Sequence, residues 1–223
     1  PKSPISEAYR SLRTSLMYSE NNKKNSNVIL ISSSEPGEGK TTTIVNLAIT
    51  YANLGKKTIL IDTDLRKPVT HKVFSVKRDP GISKYLSGLE DDYRKLVNKT
   101  EVNNLSIITC GVVPPNPSEI LASGRMEKLI NELRDEYDII LMDSPPLLAV
   151  TDSFVTMRYI DQFILVVRSG STEKGALTRS LAQLELTNSP LTGAVLNAVD
   201  ESTSYGGNYY YNYYQYYHDE DQT

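Results

Sequence analysis

The chain of 223 residues has no tryptophan, three phenylalanines, two histidines and one cysteine. The single cysteine, Cys110, excludes a disulfide within the chain and suits a reducing cytosol. No histidine or acidic residue stands at metal-ligand spacing around Cys110, so we interpret it as a small buried residue at the end of a strand. Apolar runs such as residues 163–167 are too short to cross a bilayer, and no signal peptide opens the chain, which predicts a soluble protein.

The chain also lacks an excess of positive charge, with 24 Lys and Arg against 27 Asp and Glu and a formal net charge of −3. Without a basic surface to hold a phosphate backbone, nucleic acid is not expected as a principal partner. The residue type in excess is tyrosine. Eight of the 15 tyrosines fall within the last 19 residues, namely Tyr205, Tyr209, Tyr210, Tyr211, Tyr213, Tyr214, Tyr216 and Tyr217.

Short β-branched apolar runs recur along the chain, and each predicts a strand buried on both faces. They lie at residues 28–31, 58–61, 105–109, 138–142, 162–167 and 193–199. Helical patterns lie between them, at residues 40–54, 118–136 with an interruption near Gly124, 152–160 and 173–186, with a short helix expected at 82–86. This alternation predicts an α/β fold with a doubly wound, mostly parallel sheet flanked by helices in three Rossmann-like layers.

The first residues predict a separate helix. Ser3 can cap it, Pro4 suits its first position, and apolar residues recur at helical spacing from residue 5 to residue 16. Glu7, Arg10 and Arg13 fall on the side opposite that apolar stripe, so we expect them to point away from the surface on which the helix packs. The spacing alone leaves two interpretations open, a solvated face with an (i, i+3) ion pair or an interface with another subunit.

The last part of the chain has no aliphatic residue after Val199 and is rich in Tyr, Ser, Gly, Asn and acidic residues. Such a segment cannot build a core and is predicted to be disordered. About 200 residues outside this tail are enough for one domain with a substantial core. We therefore divide the chain into an N-terminal helix at residues 1–20, one α/β domain at residues 21–199 and a tyrosine-rich tail at residues 200–223.

A phosphate-binding motif follows the first predicted strand and opens the first long helix, with the sequence Ser34-Glu35-Pro36-Gly37-Glu38-Gly39-Lys40-Thr41. That is the setting of a P-loop, in which consecutive N–H groups face phosphate oxygens at a helix N-terminus. Lys40 is expected to reach the β and γ phosphates of ATP, and Thr41 to bind Mg²⁺. The N–H groups expected at the phosphates are those of Gly37, Glu38, Gly39, Lys40, Thr41 and Thr42.

Three acidic residues stand at predicted strand ends. Asp143 follows the strand at 138–142, as a Walker B carboxylate does, and Asp62 and Asp64 follow the strand at 58–61. Because the carboxyl ends of parallel strands share one edge of a sheet, we expect all three carboxylates near the P-loop. Strand-end turns or a helix cap are the alternative roles for these residues.

Together these motifs resemble the bacterial protein-tyrosine kinases of capsular and exopolysaccharide synthesis. The resemblance covers almost the whole chain and rests on residues 34–41, 59–66 and 139–143 and on the tyrosine-rich C-terminus. It extends to Glu7-x-x-Arg10-x-x-Arg13, which is similar to the family's subunit-interface motif, and to residues 114–119, which are similar to its Pro-Asn-Pro loop. The resemblance therefore favours the interface interpretation of the N-terminal helix.

The resemblance implies an ATP- and Mg²⁺-dependent kinase that phosphorylates the C-terminal tyrosines of neighbouring subunits and regulates polysaccharide synthesis or export. It implies a ring-shaped homo-oligomer, such as an octamer. It also implies an activating cytosolic segment of a transmembrane polysaccharide co-polymerase, and a cognate phosphotyrosine phosphatase. These partners imply a cytoplasmic protein that is recruited to the inner face of the cell membrane.

Roles can also be assigned to single residues, and the family's motif suggests the role of Asp62. Asp62 is expected to accept the tyrosine hydroxyl proton, with Asp64 and Asp143 in the Mg²⁺ shell, although the sequence leaves Asp62 and Asp64 interchangeable. Arg66 is expected either to stabilise the charge of the γ-phosphate or to serve in an ion pair. Asn197, near the end of the last predicted strand, is expected either to meet the adenine or to be a buried turn amide.

Two other functions stay open at this point. Partitioning and septum-positioning ATPases share the fold and the P-loop, but they carry a signature lysine directly after the first P-loop residue, where this chain has Glu35. A glutamate would repel the phosphates that such a lysine attracts in a partner subunit, which disfavours a nucleotide-sandwich dimer. A tyrosine-rich scaffold that only binds nucleotide is the third possibility.

Overall fold

The computed structural model describes residues 3–19 and 26–200. These residues form a sheet of seven strands, β1 (Asn27–Ser33), β2 (Thr58–Asp62), β3 (Val97–Lys99), β4 (Leu105–Ile108), β5 (Ile139–Asp143), β6 (Gln162–Arg168) and β7 (Gly193–Asn197). The spatial order is β3-β4-β2-β5-β1-β6-β7. Every pairing is parallel except that of β3 with β4. The predicted doubly wound, mostly parallel sheet is confirmed.

The helices are α1 (Pro4–Tyr18), α2 (Lys40–Asn53), α3 (Thr70–Val73), α4 (Ile82–Leu86), α5 (Pro117–Leu121), α6 (Gly124–Glu136), α7 (Asp152–Thr156) and α8 (Lys174–Leu186). The pattern at 118–136 is two helices with the break at Gly124, as predicted. The helix predicted at 152–160 instead ends at Thr156 and continues as a 3₁₀ turn, Met157–Tyr159. Within the described ranges, no helix has the length and apolar character needed to span a bilayer.

Alternating residues of the central strands feed two separate cores, one on each face of the sheet. In β1, Val28 and Leu30 pack into one core, whereas Ile29 and Ile31 pack into the other. Helices α1 and α2 cover the second face, and residues of α4 to α8 cover the first. Strands buried on both faces explain the continuous apolar runs and give the three-layer architecture.

The sequence-based prediction is wrong at both edges of the sheet. Strand β3 was not predicted, because its three residues form no apolar run and it joins the sheet only by antiparallel pairing with β4. Strand β7 was predicted as buried on both faces up to residue 199, but it ends at Asn197 and Leu196 is 59% exposed. An edge strand has one neighbour, here β6, so its burial is incomplete.

Helix α1 packs on α2 through its C-terminal half. Ser3 accepts a hydrogen bond from the N–H of Ser6 at 3.2 Å, which confirms the predicted cap, and Leu16 is buried. The predicted apolar stripe is incomplete, because Ile5 is 69% exposed. The prediction that all three charged residues point away from the packing surface is wrong for Arg13, which donates a hydrogen bond to the Thr50 carbonyl of α2 at 2.9 Å.

The reactivity of Cys110, which lies two residues after the end of β4, tests the packing of the core around it. The residue is fully buried, and burial raises the pKa of its thiol to about 12. Because the thiolate is the reactive form, the thiolate fraction at pH 8 is expected to fall on the order of a thousandfold below that of an unfolded cysteine. We expect Ellman's reagent at pH 8 to leave the native chain unlabelled and to label one thiol per chain in denaturant. Rapid labelling of the native chain would contradict this packing.

Candidate functional site

The site lies where the P-loop leaves β1, between the neighbouring strands β5 and β6. The carboxyl ends of β1, β2, β5, β6 and β7 contribute residues to a cavity of about 570 Å³. This volume is in the range of small-molecule sites, roughly 300 to 1,000 Å³. Since ligands of open α/β sheets bind at the carboxyl edge where strand order reverses, the location fits the predicted nucleotide site.

Two glycines shape the P-loop. Gly37 and Gly39 have φ angles of +84° and +98°, a conformation that other residues adopt only with strain. Gly39 directly precedes α2, and a Cβ at this position would lie 2.0 Å from Nδ2 of Asn197. Nothing lies within 4 Å of a Cβ built at Gly37. Glycine is therefore favoured at position 39 by its positive φ and by the close approach of Asn197, and at position 37 by its positive φ alone.

The ammonium group of Lys40 lies between two carboxylates. Its Nζ donates to Asp64 Oδ2 at 3.1 Å and to Asp143 Oδ1 at 3.3 Å. Burial by itself would lower the pKa of Lys40, but the charges of Asp143 and Asp64 outweigh it and raise that pKa. The lysine is therefore a fixed positive charge at the centre of the site.

Asp143 is completely buried and also accepts a hydrogen bond from the Thr41 hydroxyl, at 2.6 Å. Burial raises the pKa of Asp143, while Lys40 and Thr41 act in the opposite direction. Hydroxyl and carboxylate oxygens of this kind are the ligands that Mg²⁺ prefers. The described residues contain no cluster of three or more His, Cys, Asp or Glu arranged to hold a metal. A Mg²⁺ at a nucleotide site usually takes phosphate and water oxygens as further ligands.

Asp62 lies beside Asp143 in the register of β2 and β5 but has different partners. Its Oδ2 accepts hydrogen bonds from the Thr70 hydroxyl at 2.6 Å and the Thr70 N–H at 3.2 Å. Its Oδ1 is buried without a hydrogen-bond partner among the described residues. Burial and the nearby Asp143 raise the pKa of Asp62 to about 7. The two acids of this turn thus differ, since Asp64 contacts Lys40 and lines the cavity whereas Asp62 lies behind it.

The remaining predicted residues contact the rim of the cavity or lie away from it. Arg66 lines the cavity and forms a bidentate ion pair with buried Asp152, through Nε at 2.9 Å and Nη2 at 3.0 Å. Asn197 also lines the cavity and donates to the Glu38 carbonyl at 3.0 Å. Glu7 and Arg10 form a half-exposed ion pair at 2.7 Å on α1, away from this site. The tail tyrosines from Tyr205 to Tyr217 lie outside the described residues.

Sequence reasoning missed four residues around the site, Thr70, Asp152, Arg168 and Thr172. Arg168 donates to the Gly37 carbonyl at 3.0 Å and ends β6 at the same edge as Asp62 and Asp143, so the strand-end rule could have identified it. Asp152 and Thr172 act on partners distant in sequence, Arg66 and Glu38, whereas Thr70 acts on Asp62, eight residues before it. No motif marks these three residues.

Comparison with known proteins identifies the family. A family model described as an AAA domain matches residues 26–189. Tyrosine-protein kinase YwqD of Bacillus subtilis is 37% identical over 208 residues, which cover 92% of this chain and 87% of that protein. The solved kinase domain of the Escherichia coli tyrosine kinase ETK is 35% identical with a TM-score of 0.85, and the match covers 92% of this chain and 80% of that chain. The chain belongs to the bacterial tyrosine-protein kinases.

A second solved structure, that of the chimerical protein CapA2B2, is 35% identical with a TM-score of 0.84, over 89% of this chain and 87% of that chain. The septum site-determining protein MinD of Pyrococcus horikoshii, solved with Mg-ADP, is 24% identical with a TM-score of 0.64. That likeness shows a shared fold alone. The sequence-based identification as a bacterial tyrosine-protein kinase is confirmed, and its P-loop fold is one that binds nucleotide.

Substitution of Gly39 by alanine tests the nucleotide site. The new Cβ would force strain at φ +98° and displace the Asn197 amide, which would lose its hydrogen bond to the Glu38 carbonyl. We expect the affinity for ATP, measured by calorimetry, to fall at least roughly a hundredfold, since both strain and lost hydrogen bonds contribute.

Two other glycines provide matched controls. Gly37→Ala adds strain at φ +84° without a clash, so we expect a loss of affinity of roughly tenfold or less. Gly55→Ala has the same φ at the end of α2, away from the cavity, and should lower only the stability of the fold. Equal affinities of Gly39→Ala and Gly37→Ala would contradict the proposed role of the close approach to Asn197.

Proposed function

We propose that this kinase transfers the γ-phosphoryl group of ATP to tyrosines of its own C-terminal cluster, in trans within an oligomer. The observation that supports this most directly is the arrangement around Lys40. The ammonium group of Lys40 contacts the carboxylates of Asp64 and Asp143, and Lys40, Asp64 and Asn197 line a nucleotide-sized cavity. The chain continues from Asn197 towards its tail.

The P-loop would bind the triphosphate of ATP through its N–H groups and Lys40. Mg²⁺, held by Thr41, Asp64 and Asp143, would neutralise the charge that develops on the phosphates. Lys40 links the carboxylates of Asp64 and Asp143, and the Thr41 hydroxyl donates to Asp143. Thr41, Asp64 and Asp143 all provide oxygen ligands. Phosphoryl transfer depends more on such positioning and neutralisation than on covalent chemistry.

Asp62 is the proposed acceptor of the tyrosine proton. In the step, the phenol oxygen forms a bond to the γ-phosphorus, the bond from that phosphorus to the bridging oxygen breaks, ADP leaves and the phenol proton passes to Asp62. The different contacts of the two acids support this choice. Asp64 is engaged with Lys40 and the N–H of Lys67, whereas Asp62 keeps one oxygen without a partner.

The position of the tail supports its role as substrate. Asn197 and Ala198 line the cavity, and Tyr205 follows Asn197 by eight residues, a reach of at most about 26 to 29 Å. A tethered tyrosine is thus present at high effective concentration at its own site or that of a neighbour. We favour a neighbour, because the half-exposed pair of Glu7 and Arg10 on α1 offers a polar surface for another subunit.

By family membership, we also propose a role in capsular or exopolysaccharide synthesis. The cytosolic segment of a transmembrane co-polymerase would activate the kinase and recruit it to the inner face of the membrane. A phosphotyrosine phosphatase would reverse the modification, and a ring such as an octamer would bring tails and sites together.

Incubation of the full chain with Mg²⁺-ATP, followed by intact mass measurement, tests the kinase proposal. We expect mass increments of phosphate that are absent from Lys40→Met, because the variant loses the fixed positive charge at the phosphates. Lys128→Met, at an exposed lysine of α6, is the matched control and should react like the unaltered chain.

Substitution of the eight tail tyrosines by phenylalanine should also abolish the increments, whereas Tyr18→Phe, at an exposed tyrosine of α1, should not. Release of phosphate without protein modification would support a switch ATPase instead. Nucleotide binding with neither reaction would support a scaffold.

Multi-angle light scattering tests the proposed interface on α1. We expect Glu7→Ala with Arg10→Ala to dissociate the oligomer without loss of stability, because a half-exposed (i, i+3) ion pair contributes little to the stability of the fold. Arg13→Ala, in contrast, should lower the free energy of unfolding by about 1 kcal/mol, because it removes the hydrogen bond to the Thr50 carbonyl within the same chain. An oligomer that survives the double substitution would exclude this surface as the interface.

A further inference from the structure

The outer side of the P-loop is held by side chains from the last two strands. A P-loop turns its N–H groups inward to phosphate, so its carbonyl groups point outward and need donors of their own. Here the Gly37 carbonyl accepts from Arg168 Nη1 and the Glu38 carbonyl from Asn197 Nδ2, both at 3.0 Å. The loop is therefore braced from the ends of β6 and β7.

The side chain of Glu38 is the unexpected part of this brace. It is a carboxylate within the phosphate-binding loop, yet the residue is only 3% exposed and does not line the cavity. Its Oε2 accepts from the N–H of Glu35 at 3.1 Å, and its Oε1 accepts from the hydroxyl of Thr172. A buried carboxylate beside a triphosphate is unfavourable unless donors hold it away from the phosphates.

Thr172 has no freedom in how it uses its hydroxyl. Its Oγ1 accepts from the N–H of Arg168 at 2.8 Å, and its own N–H donates to the Arg168 carbonyl at 3.0 Å. A hydroxyl has one proton, and with an N–H already directed at the oxygen that proton goes to Glu38. The loop between β6 and α8 thus fixes the carboxylate on the outer side of the P-loop.

We infer that Thr172 is a positioning residue for nucleotide binding, which acts through Glu38 to hold the first turn of the P-loop in its phosphate-binding shape. Thr172 does not itself line the cavity. Without its hydroxyl, the Glu38 carboxylate loses one of its two donors and is free to turn towards the phosphates. The inference rests on the proposed ATP site.

The expected effect of Thr172→Val is a rise of roughly tenfold in the Kd and KM for Mg²⁺-ATP, the size of one hydrogen bond to a charged group. The kcat at saturating ATP should stay nearly constant, because the phosphates are held in both the ground state and the transition state. Thr172→Ala should behave like Thr172→Val, and Thr172→Ser, which keeps the hydroxyl, should restore the affinity.

Thr178→Val is the matched control. Its hydroxyl lies in α8, six residues further along, and donates to the Lys174 carbonyl at 2.9 Å, so its loss should leave the Kd unchanged. A double-mutant cycle with Glu38→Gln tests whether Thr172 acts through the Glu38 carboxylate. The effect of Thr172→Val on the Kd should be smaller in the Glu38→Gln background, where the carboxylate charge is absent.

The measurements are calorimetric Kd values for Mg²⁺-ATP, steady-state kinetics and the melting temperature without nucleotide. A Kd unchanged in both Thr172→Val and Thr172→Ala would overturn the inference while leaving the ATP site intact. An equal loss in Thr178→Val, or a lower melting temperature with an unchanged Kd, would reduce Thr172 to a structural role. Failure of the unaltered chain to bind ATP would overturn the proposed function and this inference together.

Discussion

The charge of Lys40 is the constraint on which the site depends. Three carboxylates, Asp62, Asp64 and Asp143, reach one edge of the sheet because their strands are parallel and end together. Asp62 and Asp143 are wholly buried, and burial raises the pKa of both. The ammonium group of Lys40 lies between Asp64 and Asp143 and offsets part of the repulsion between the negative charges of the carboxylates. A site with more buried acids than bases is suited to a ligand that brings cations with it.

Two layers of contacts surround that charge. The inner layer consists of Lys40, Thr41, Asp64 and Asp143, which contact one another, and the first three of these residues line the cavity. The outer layer consists of Arg168, Thr172 and Asn197, which hold the carbonyl groups and the carboxylate of the P-loop. Because outer contacts come from the β6 and β7 ends, the shape of the phosphate cradle depends on the half of the sheet that leads into the tail.

Much of this arrangement could be predicted from the sequence, because it depends on local patterns. The P-loop, the central strands and the acids at their ends each have a signature of a few residues. What could not be predicted depends on partners distant in sequence. Arg66 pairs with Asp152, Glu38 with Thr172 and Arg13 with a carbonyl of α2, and no periodicity reveals such pairs. The edge strands β3 and β7 were missed or misjudged because their burial depends on the number of neighbours, which a strand's own residues do not encode.

The same geometry bears on which site a tail tyrosine reaches. Asn197 is fixed to the P-loop through the Glu38 carbonyl, and Ala198, with φ of +54°, lies in the cavity wall. For a tyrosine only eight residues later to return to its own site, the intervening chain must close a short loop against that wall, where chain stiffness adds to the entropic cost of closure. An extended chain of the same length reaches outward by up to about 26 to 29 Å without that cost. Under the proposed tail phosphorylation, a neighbouring site within this distance is therefore the easier target for Tyr205, and the more distant tyrosines of the cluster are progressively less restricted.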